Sequence, residues 1–355
     1  MAMKKKIFVA VLFLMCTFAH RAWAWDGSGS GTDPYLINNF ADWQLLADNV
    51  SGGETYSGVV FRMTVDIDAG GVSVGGADKP FCGTFDGDGH TLTYNRGKKD
   101  SESIKYVNDF CAPFVRLDGA TIRHLTVTGS IYSSHMHAAG IASLIDGQTS
   151  TTIFDCHVSS LLLANSVLTS DASFVGIVGN VNPTCTASPV IKDCTFTGSI
   201  LGYATRSSGL VGYTNVAVSF VNCIFDPDMT PGSDECATLV RMAQGVKCSF
   251  EECYYTKIMG AAQGKCMFAE VLVPNGCTVK ILSKPKMQYN GKNYYTSGAQ
   301  VLLTVPEGTP FDHWVTEGAP GCFINDPGRR AASIRSPTCA RSPSSASPRR
   351  CPTPL

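Results

Sequence analysis

The residues best suited to chemistry in this chain are carboxylates, imidazoles and tyrosines gathered in short clusters. Asp226, Asp228, Asp234 and Glu235 place four carboxylates around Pro231-Gly232. Hard oxygen donors at that density suit Ca²⁺, although the spacing departs from an EF-hand loop and a solvated turn is the competing reading. His135 and His137 would project two imidazoles to one side of a strand, a usable metal geometry. His124 and His157 are the nearest further ligands, and a loop-exposed pair is the alternative. Asp86 and Asp88 flank a glycine as paired carboxylates, the equipment of glycoside hydrolysis. Alternate glycines suit instead a tight turn whose Asp side chains bond their own backbone. Tyr132, Tyr203, Tyr213 and Tyr254, with Tyr255, lie on or near successive repeats, and an exposed line of such rings would stack on sugars. Arg116, Arg123 and Lys192 are the basic residues near the repeats that could serve a lyase, and they are scattered.

Whatever these residues do, a repeat must position them. An aliphatic or aromatic residue, two positions, then Leu or Cys recurs at Ile122/Leu125, Ile153/Cys156, Ile191/Cys194, Phe220/Cys223 and Phe250/Cys253. The second members are 31, 38, 29 and 30 residues apart, a period at which segments stack on one another. A second repeat follows each: Gly140–Leu144, Gly176–Gly179 and Gly209–Gly212, with a degenerate form at Ala237–Val240. At least two short strands per period, with no helical pattern between them, predict an all-β chain: a parallel β-helix, or solenoid, with like residues stacked about 4.8 Å apart. Leu125, Cys156, Cys194, Cys223 and Cys253 then form one inward column, and Gly176, Gly179, Gly209 and Gly212 its structural turns. Thiols in such a column behave as small buried hydrophobes, so the column is expected to stay reduced although the chain holds 15 cysteines. Ahead of the repeats, Asn39 can cap a helix whose stripe is Phe40, Trp43, Leu46, Ala47 and Val50. That helix is expected to cover the open end of the solenoid.

These segments resemble a known family. Gly209-Leu210-Val211-Gly212 and its relatives resemble the GLUG motif of bacterial surface proteins, and Ile122–Ile131 and Ile191–Ile200 resemble its companion strand. Trp25–Gly29, Asp33–Ile37, Tyr56–Gly58, Asp66–Asp68 and Phe81–His90 resemble the N-terminal part of the same proteins. The resemblance covers roughly residues 25 to 255 and implies an exported, right-handed β-helix that is not an enzyme. Beyond it, Cys277–Ile281, Ala299–Val305 and the pair Phe311 and Trp314 resemble the first part of an internalin-type B repeat, a small β-grasp-like module.

The first residues address the chain for export. Lys4-Lys5-Lys6 precede an apolar run from Ile7 to Phe18, and Ala22-Trp23-Ala24 offers a small-x-small cleavage site. Cys16 raises a lipoprotein alternative, against which Met15 is bulky for a lipid-attachment site. No later stretch is long and apolar enough for a transmembrane span. The expected organisation is a signal peptide over 1–24, the capped β-helix over 25–270, the partial B-repeat-like module over 271–326, and a disordered tail over 327–355. No acidic residue follows Asp326, and residues 328–355 hold six Arg, six Ser and five Pro. That abrupt change reads as an out-of-frame translation joined near Pro327, with a basic binding arm as the alternative. A net charge of −1 argues against nucleic acid as partner. The functional expectation is a noncatalytic cell-surface or secreted protein, adhesin-like, whose partner is an extracellular glycan or a host or matrix protein. A polysaccharide lyase or glycoside hydrolase is the second reading, and an architectural stalk the third. No cofactor is expected other than calcium.

Overall fold

A computed structural model describes residues 25–100, 103–134, 137–164, 173–202, 207–229, 235–269, 271, 273, 276–289, 291–311, 313–317, 323–325, 331–335 and 345–349. Most of its ordered elements are short strands, and one helix, Phe40–Ser51, is present among the described residues. The Asn39 side chain accepts from the amides of Ala41 and Asp42 at 2.8 and 3.2 Å, satisfying two donors the first turn would leave bare. Trp43, Leu46, Ala47 and Val50 are buried, whereas Phe40 is 45% exposed. Phe40 points in nearly the direction of Ala47 but two turns earlier, past the edge of the core. Trp43 donates its indole N–H to the Val72 carbonyl at 3.0 Å and meets Phe85 and Phe114 edge-on.

Three parallel ladders carry the repeats. The first joins Tyr35–Ile37, Val60–Met63, Thr84–Asp86, Thr121–Arg123, Thr152–Phe154, Val190–Lys192, Ser219–Val221 and Ser249–Glu251 in one eight-stranded sheet. Its central residues pair in register: Phe61, Phe85, Ile122, Ile153, Ile191 and Phe220 all lie in the core. The second ladder stacks Leu92, Val127, Val158, Phe196, Phe225 and Tyr255 in the same way. The third stacks Phe114, Ala142, Val178, Val211 and Val240. The three rows and the helix share one continuous apolar core. A strand contributes only half its side chains to such a core, so neither ladder nor helix could bury its apolar face alone.

Between the first and second ladders the chain turns through one residue in the left-handed region. His124, Asp155, Asp193, Asn222 and Glu252 have φ of 48, 49, 53, 52 and 47°. Each precedes a member of the column Leu125, Cys156, Cys194, Cys223 and Cys253, all of which are buried. Asp and Asn tolerate this conformation best, and Asn222 adds a 2.7 Å hydrogen bond from its amide to the Asp193 carboxylate.

The C-terminal third carries antiparallel pairs. The hairpin Met287–Tyr289/Lys292–Thr296 pairs antiparallel with Lys265–Phe268, which itself extends the second ladder beside Tyr254–Tyr255, so the sheet runs across the boundary at 270. Thr278–Ile281, Gln300–Thr304, Ala331–Arg335 and Phe323–Asn325 form a separate antiparallel sheet over a small core of Val301, Leu303, Val305 and Ala332. Within the stretch expected to be a tail, Ala331–Arg335 pairs with Gln300–Thr304, and Ser345–Arg349 with His313–Glu317. An open strand edge accepts any segment free of backbone conflict, whatever its composition.

Candidate functional site

The Asp86 cluster follows directly from register. Arg62 and Arg123 are the ladder neighbours of Asp86 on either side, so a carboxylate sits between two guanidiniums on the outer face. Arg123 reaches Oδ2 through Nη2 at 2.9 Å and Nε at 3.1 Å, and Arg62 lies 3.7 Å from it. His124 Nδ1 is 2.9 Å from Oδ1, which also accepts the Asp88 amide at 3.1 Å. Burial opposes ionisation, yet His124, the Asp88 amide and Arg123 together hold the Asp86 carboxyl below the usual carboxylate range. Asp88 has φ 49°, and the amides of Gly87 and Gly89 donate to the carbonyls of Arg123 and His124, both at 2.8 Å. The pair is therefore a locked turn, and Asp86 cannot supply a proton near neutral pH.

Three of the four carboxylates read as a calcium cluster, Asp226, Asp228 and Glu235, lie among the described residues. Asp226 Oδ2 is held by Lys292 Nζ at 2.6 Å and by the Tyr294 hydroxyl at 2.8 Å, and Oδ1 accepts from Thr256 at 2.5 Å. These contacts outweigh burial and hold its carboxyl low. Asp228 faces Lys257 at 3.9 Å. Asp234 lies outside the described residues, and among the described residues no group of three or more His, Cys, Asp or Glu is disposed to hold a metal ion. Lysine on one carboxylate removes the charge that calcium requires. His135 also lies outside the described residues, and His137 stacks on Phe110 at 5.9 Å.

The tyrosine line is not an exposed platform. Tyr254 is 2% exposed, because the hairpin Met287–Thr296 lies over it and packs Tyr294 and Met287 into the same apolar cluster as Met267. Tyr254 donates to Glu252, whose negative charge and the burial of the ring push the phenol up to about 12. Tyr132 is 8% exposed, with the Gly97 backbone against it. Tyr213 is half-buried under the Arg241 guanidinium, 5.3 Å from its ring centre. Tyr203 lies outside the described residues.

The column thiols, like Cys111 and Cys185, are buried and carry no disulfide, whereas Cys82, Cys248 and Cys277 are unbridged and partly exposed. Cys194 and Cys223 donate to Ile153 and Ile191, their neighbours in the preceding repeat, at 3.5 and 3.4 Å. Burial pushes both thiols well above the ordinary range. Since only thiolate alkylates, iodoacetamide at pH 8 is expected to label partly exposed Cys82 and Cys277 while sparing Cys194 and Cys223 until the chain unfolds. Peptide mapping by mass spectrometry checks this, and early labelling of Cys194 would contradict the buried column.

A site absent from the sequence reading lies at the exit of the third ladder. Asp118, Asp146, Asn182 and Asn215 directly follow Leu117, Ile145, Val181 and Thr214, which pair in register. The signal was available: each of Asp146, Asn182 and Asn215 lies six residues after its turn glycine, Gly140, Gly176 or Gly209. Asp146 is 6% exposed. Its Oδ2 meets Arg116 Nη2 and Asn182 Nδ2, both at 3.0 Å, and its Oδ1 accepts the Gly147 amide at 2.7 Å and the Thr184 hydroxyl. Against burial, the hydrogen bonds from Thr184, Asn182 and Gly147 and the charge of Arg116 hold this carboxyl low. The other terminal nitrogen of the Arg116 guanidinium, Nη1, donates to the Ala77 carbonyl at 2.9 Å. The result is an open cavity of about 530 Å³ lined by Arg116, Asp118, Asp146, Gln148, Thr149 and Thr184 with Gly147. A second cavity of about 330 Å³ lies under the hairpin beside Asp226, Asp228, Lys257 and Tyr289.

No family model and no curated protein matches the chain. A solved structure described as a putative immunoglobulin A1 protease from Bacteroides ovatus is similar over 68% of this chain and 84% of its own, at 16% identity and a TM-score of 0.48. No helix among the described residues is long and apolar enough to cross a membrane.

Proposed function

We propose that this is an exported, noncatalytic surface protein of the GLUG type that binds an extracellular glycan or host protein through the outer faces of its ladders. In this reading the repeats wind as a right-handed parallel β-helix, the helix Phe40–Ser51 covers its first turn, and the C-terminal sheet is a partial B-repeat-like module. In-register parallel pairing through all three ladders supports the winding. The Lys4–Lys6 run, the apolar stretch and Ala22-Trp23-Ala24 support export. The observation that carries the noncatalytic reading is electrostatic. Among the described residues, each carboxylate with a displaced pKa, namely Asp66, Asp86, Asp146, Asp226 and Glu252, is displaced downward, Glu252 to about 2. Glycoside hydrolysis needs the opposite, a carboxylic acid kept protonated near neutrality. Cations and amides fix these groups as structural anions.

The test is a glycan and matrix-protein array probed with residues 25–355, run beside a polysaccharide-degradation assay. Saturable binding without cleavage is expected. Release of reducing ends or unsaturated products would replace this reading with the enzyme.

A further inference from the structure

We propose that the 530 Å³ cavity at the exit of the third ladder binds a ring of a neutral saccharide, with Asp118 as its principal hydrogen-bond acceptor. The proposal rests on the binding-protein reading and adds to it a place and a ligand class. The volume lies within the range of about 300–1,000 Å³ usual for small-molecule sites. The side chains of its lining are all polar or charged, so an apolar ligand would gain little by entering.

Charge narrows the class. The Arg116 guanidinium is neutralised by Asp146 at 3.0 Å, whereas no cation is paired with Asp118 among the described residues. The cavity therefore carries one net negative charge, which disfavours uronates, sialates, sulfates and phosphates. A metal ion fares no better. Both oxygens of Asp146 are occupied, Oδ1 by Thr184 and Gly147 and Oδ2 by Asn182 and Arg116. That leaves a single free carboxylate, short of the oxygen set a hard cation needs. A lysine or arginine of a peptide would pair with Asp118 alone and leave the amide and hydroxyls of Gln148, Thr149 and Thr184 unused.

A neutral polyol matches what remains. The Asp118 carboxylate accepts from two vicinal hydroxyls, and Gln148, Thr149 and Thr184 can each donate or accept towards the rest of the ring. The acceptor wall is built in advance. An added Cβ at Gly147, whose φ is +100°, would fall 1.9 Å from Asp118 Oδ1, so the carboxylate is seated on bare backbone. Both terminal nitrogens of the Arg116 guanidinium are held, one by Asp146 and one by the Ala77 carbonyl. Groups fixed before binding lose little entropy when the ligand arrives.

The experiment uses the mature chain, residues 25–355, titrated with labelled neutral hexose and N-acetylhexosamine hexasaccharides. Sulfated and uronate oligomers and an oligolysine peptide serve as comparison ligands, each followed by fluorescence anisotropy. A neutral hexasaccharide is expected to bind, Asp118→Ala to weaken it about tenfold or more, and Gln148→Ala to weaken it about threefold. Asp118→Asn, which keeps the shape, is expected to fall between, with the thermal midpoint of all three unchanged. Neutral binding that survives Asp118→Ala would overturn the site while leaving the binding reading intact. So would preference for the anionic oligomers or the peptide, or binding confined to a matrix protein. Cleavage of the probe would overturn both.

Discussion

Gly209→Ala is expected to lower the thermal midpoint by about 5 °C, although the substitution adds one methyl group at a backbone conformation any residue adopts. The reason is close approach. The Gly209 amide donates to the Thr238 carbonyl at 3.1 Å, and an added Cβ would fall 2.2 Å from that oxygen and 2.8 Å from the Phe225 ring. The same relation holds one and two repeats earlier. A Cβ on Gly176 would meet Phe196 at 2.6 Å and the Gly209 carbonyl at 2.7 Å, and one on Gly140 would meet the Gly176 carbonyl at 2.2 Å and Val158 at 2.4 Å. Glycine is required here because core residues of the second ladder pack directly onto the turn entering the third. Overpacking costs about 1–3 kcal/mol, and contact with a fixed carbonyl belongs at the upper end. The smaller entropy of an unfolded chain carrying Ala returns about 0.4–1 kcal/mol. Gly31, which has nothing within 4 Å of an added Cβ, is the control, and Gly31→Ala should melt with the wild type. Thermal circular dichroism on the three proteins decides it. A Gly209→Ala midpoint within about 1 °C of wild type would remove the packing account of the turn.

What the sequence makes legible, and what it hides, divides by range. The column Leu125, Cys156, Cys194, Cys223, Cys253 is legible because stacked positions share one environment and so converge on small apolar types. The helix cap at Asn39 is legible because it depends on three neighbouring residues. The left-handed turn before each column member is hidden: His124, Asp155, Asp193, Asn222 and Glu252 are four residue types with one φ, so type alone carries no signal. Burial of Tyr254 is hidden for another reason, since the hairpin that covers it returns only at Met287. The fate of Asp226 depends likewise on Lys292 and Tyr294, 66 and 68 residues away. Carboxylate clusters in a sequence announce charge; the partners that decide whether the charge is free come from elsewhere in the chain. The Asp118/Asp146/Asn182/Asn215 column sits between these cases, since its offset from the turn glycines is regular but polar residues after a strand read as loop.

Asp86→Ala is expected to destabilise the chain by about 2–3 kcal/mol at pH 7, and Asp86→Asn by about half as much. Breaking one side of a buried ion pair costs about 3–5 kcal/mol. Asp86 qualifies, its side chain being 4% exposed, but Arg62, Arg123 and His124 are each 35% exposed, and water screens part of what they would lose. Asn keeps an acceptor for the Asp88 amide on Oδ1 but removes the charge and turns an NH2 towards Arg123, so the gap between wild type and Asp86→Asn reports the charged contacts and the gap between the two variants the remaining hydrogen bond. The pH dependence has a fixed sign. Because the folded carboxyl lies below its unfolded value, its contribution is complete above about pH 4, the unfolded value. It is lost as pH falls through the folded value. Urea unfolding should therefore separate wild type from Asp86→Asn at pH 7 and bring them together in acid below pH 4. A difference that persists unchanged into acid would mean that Asp86 stabilises the turn through shape alone, and that the Arg62–Asp86–Arg123 row is an accident of register.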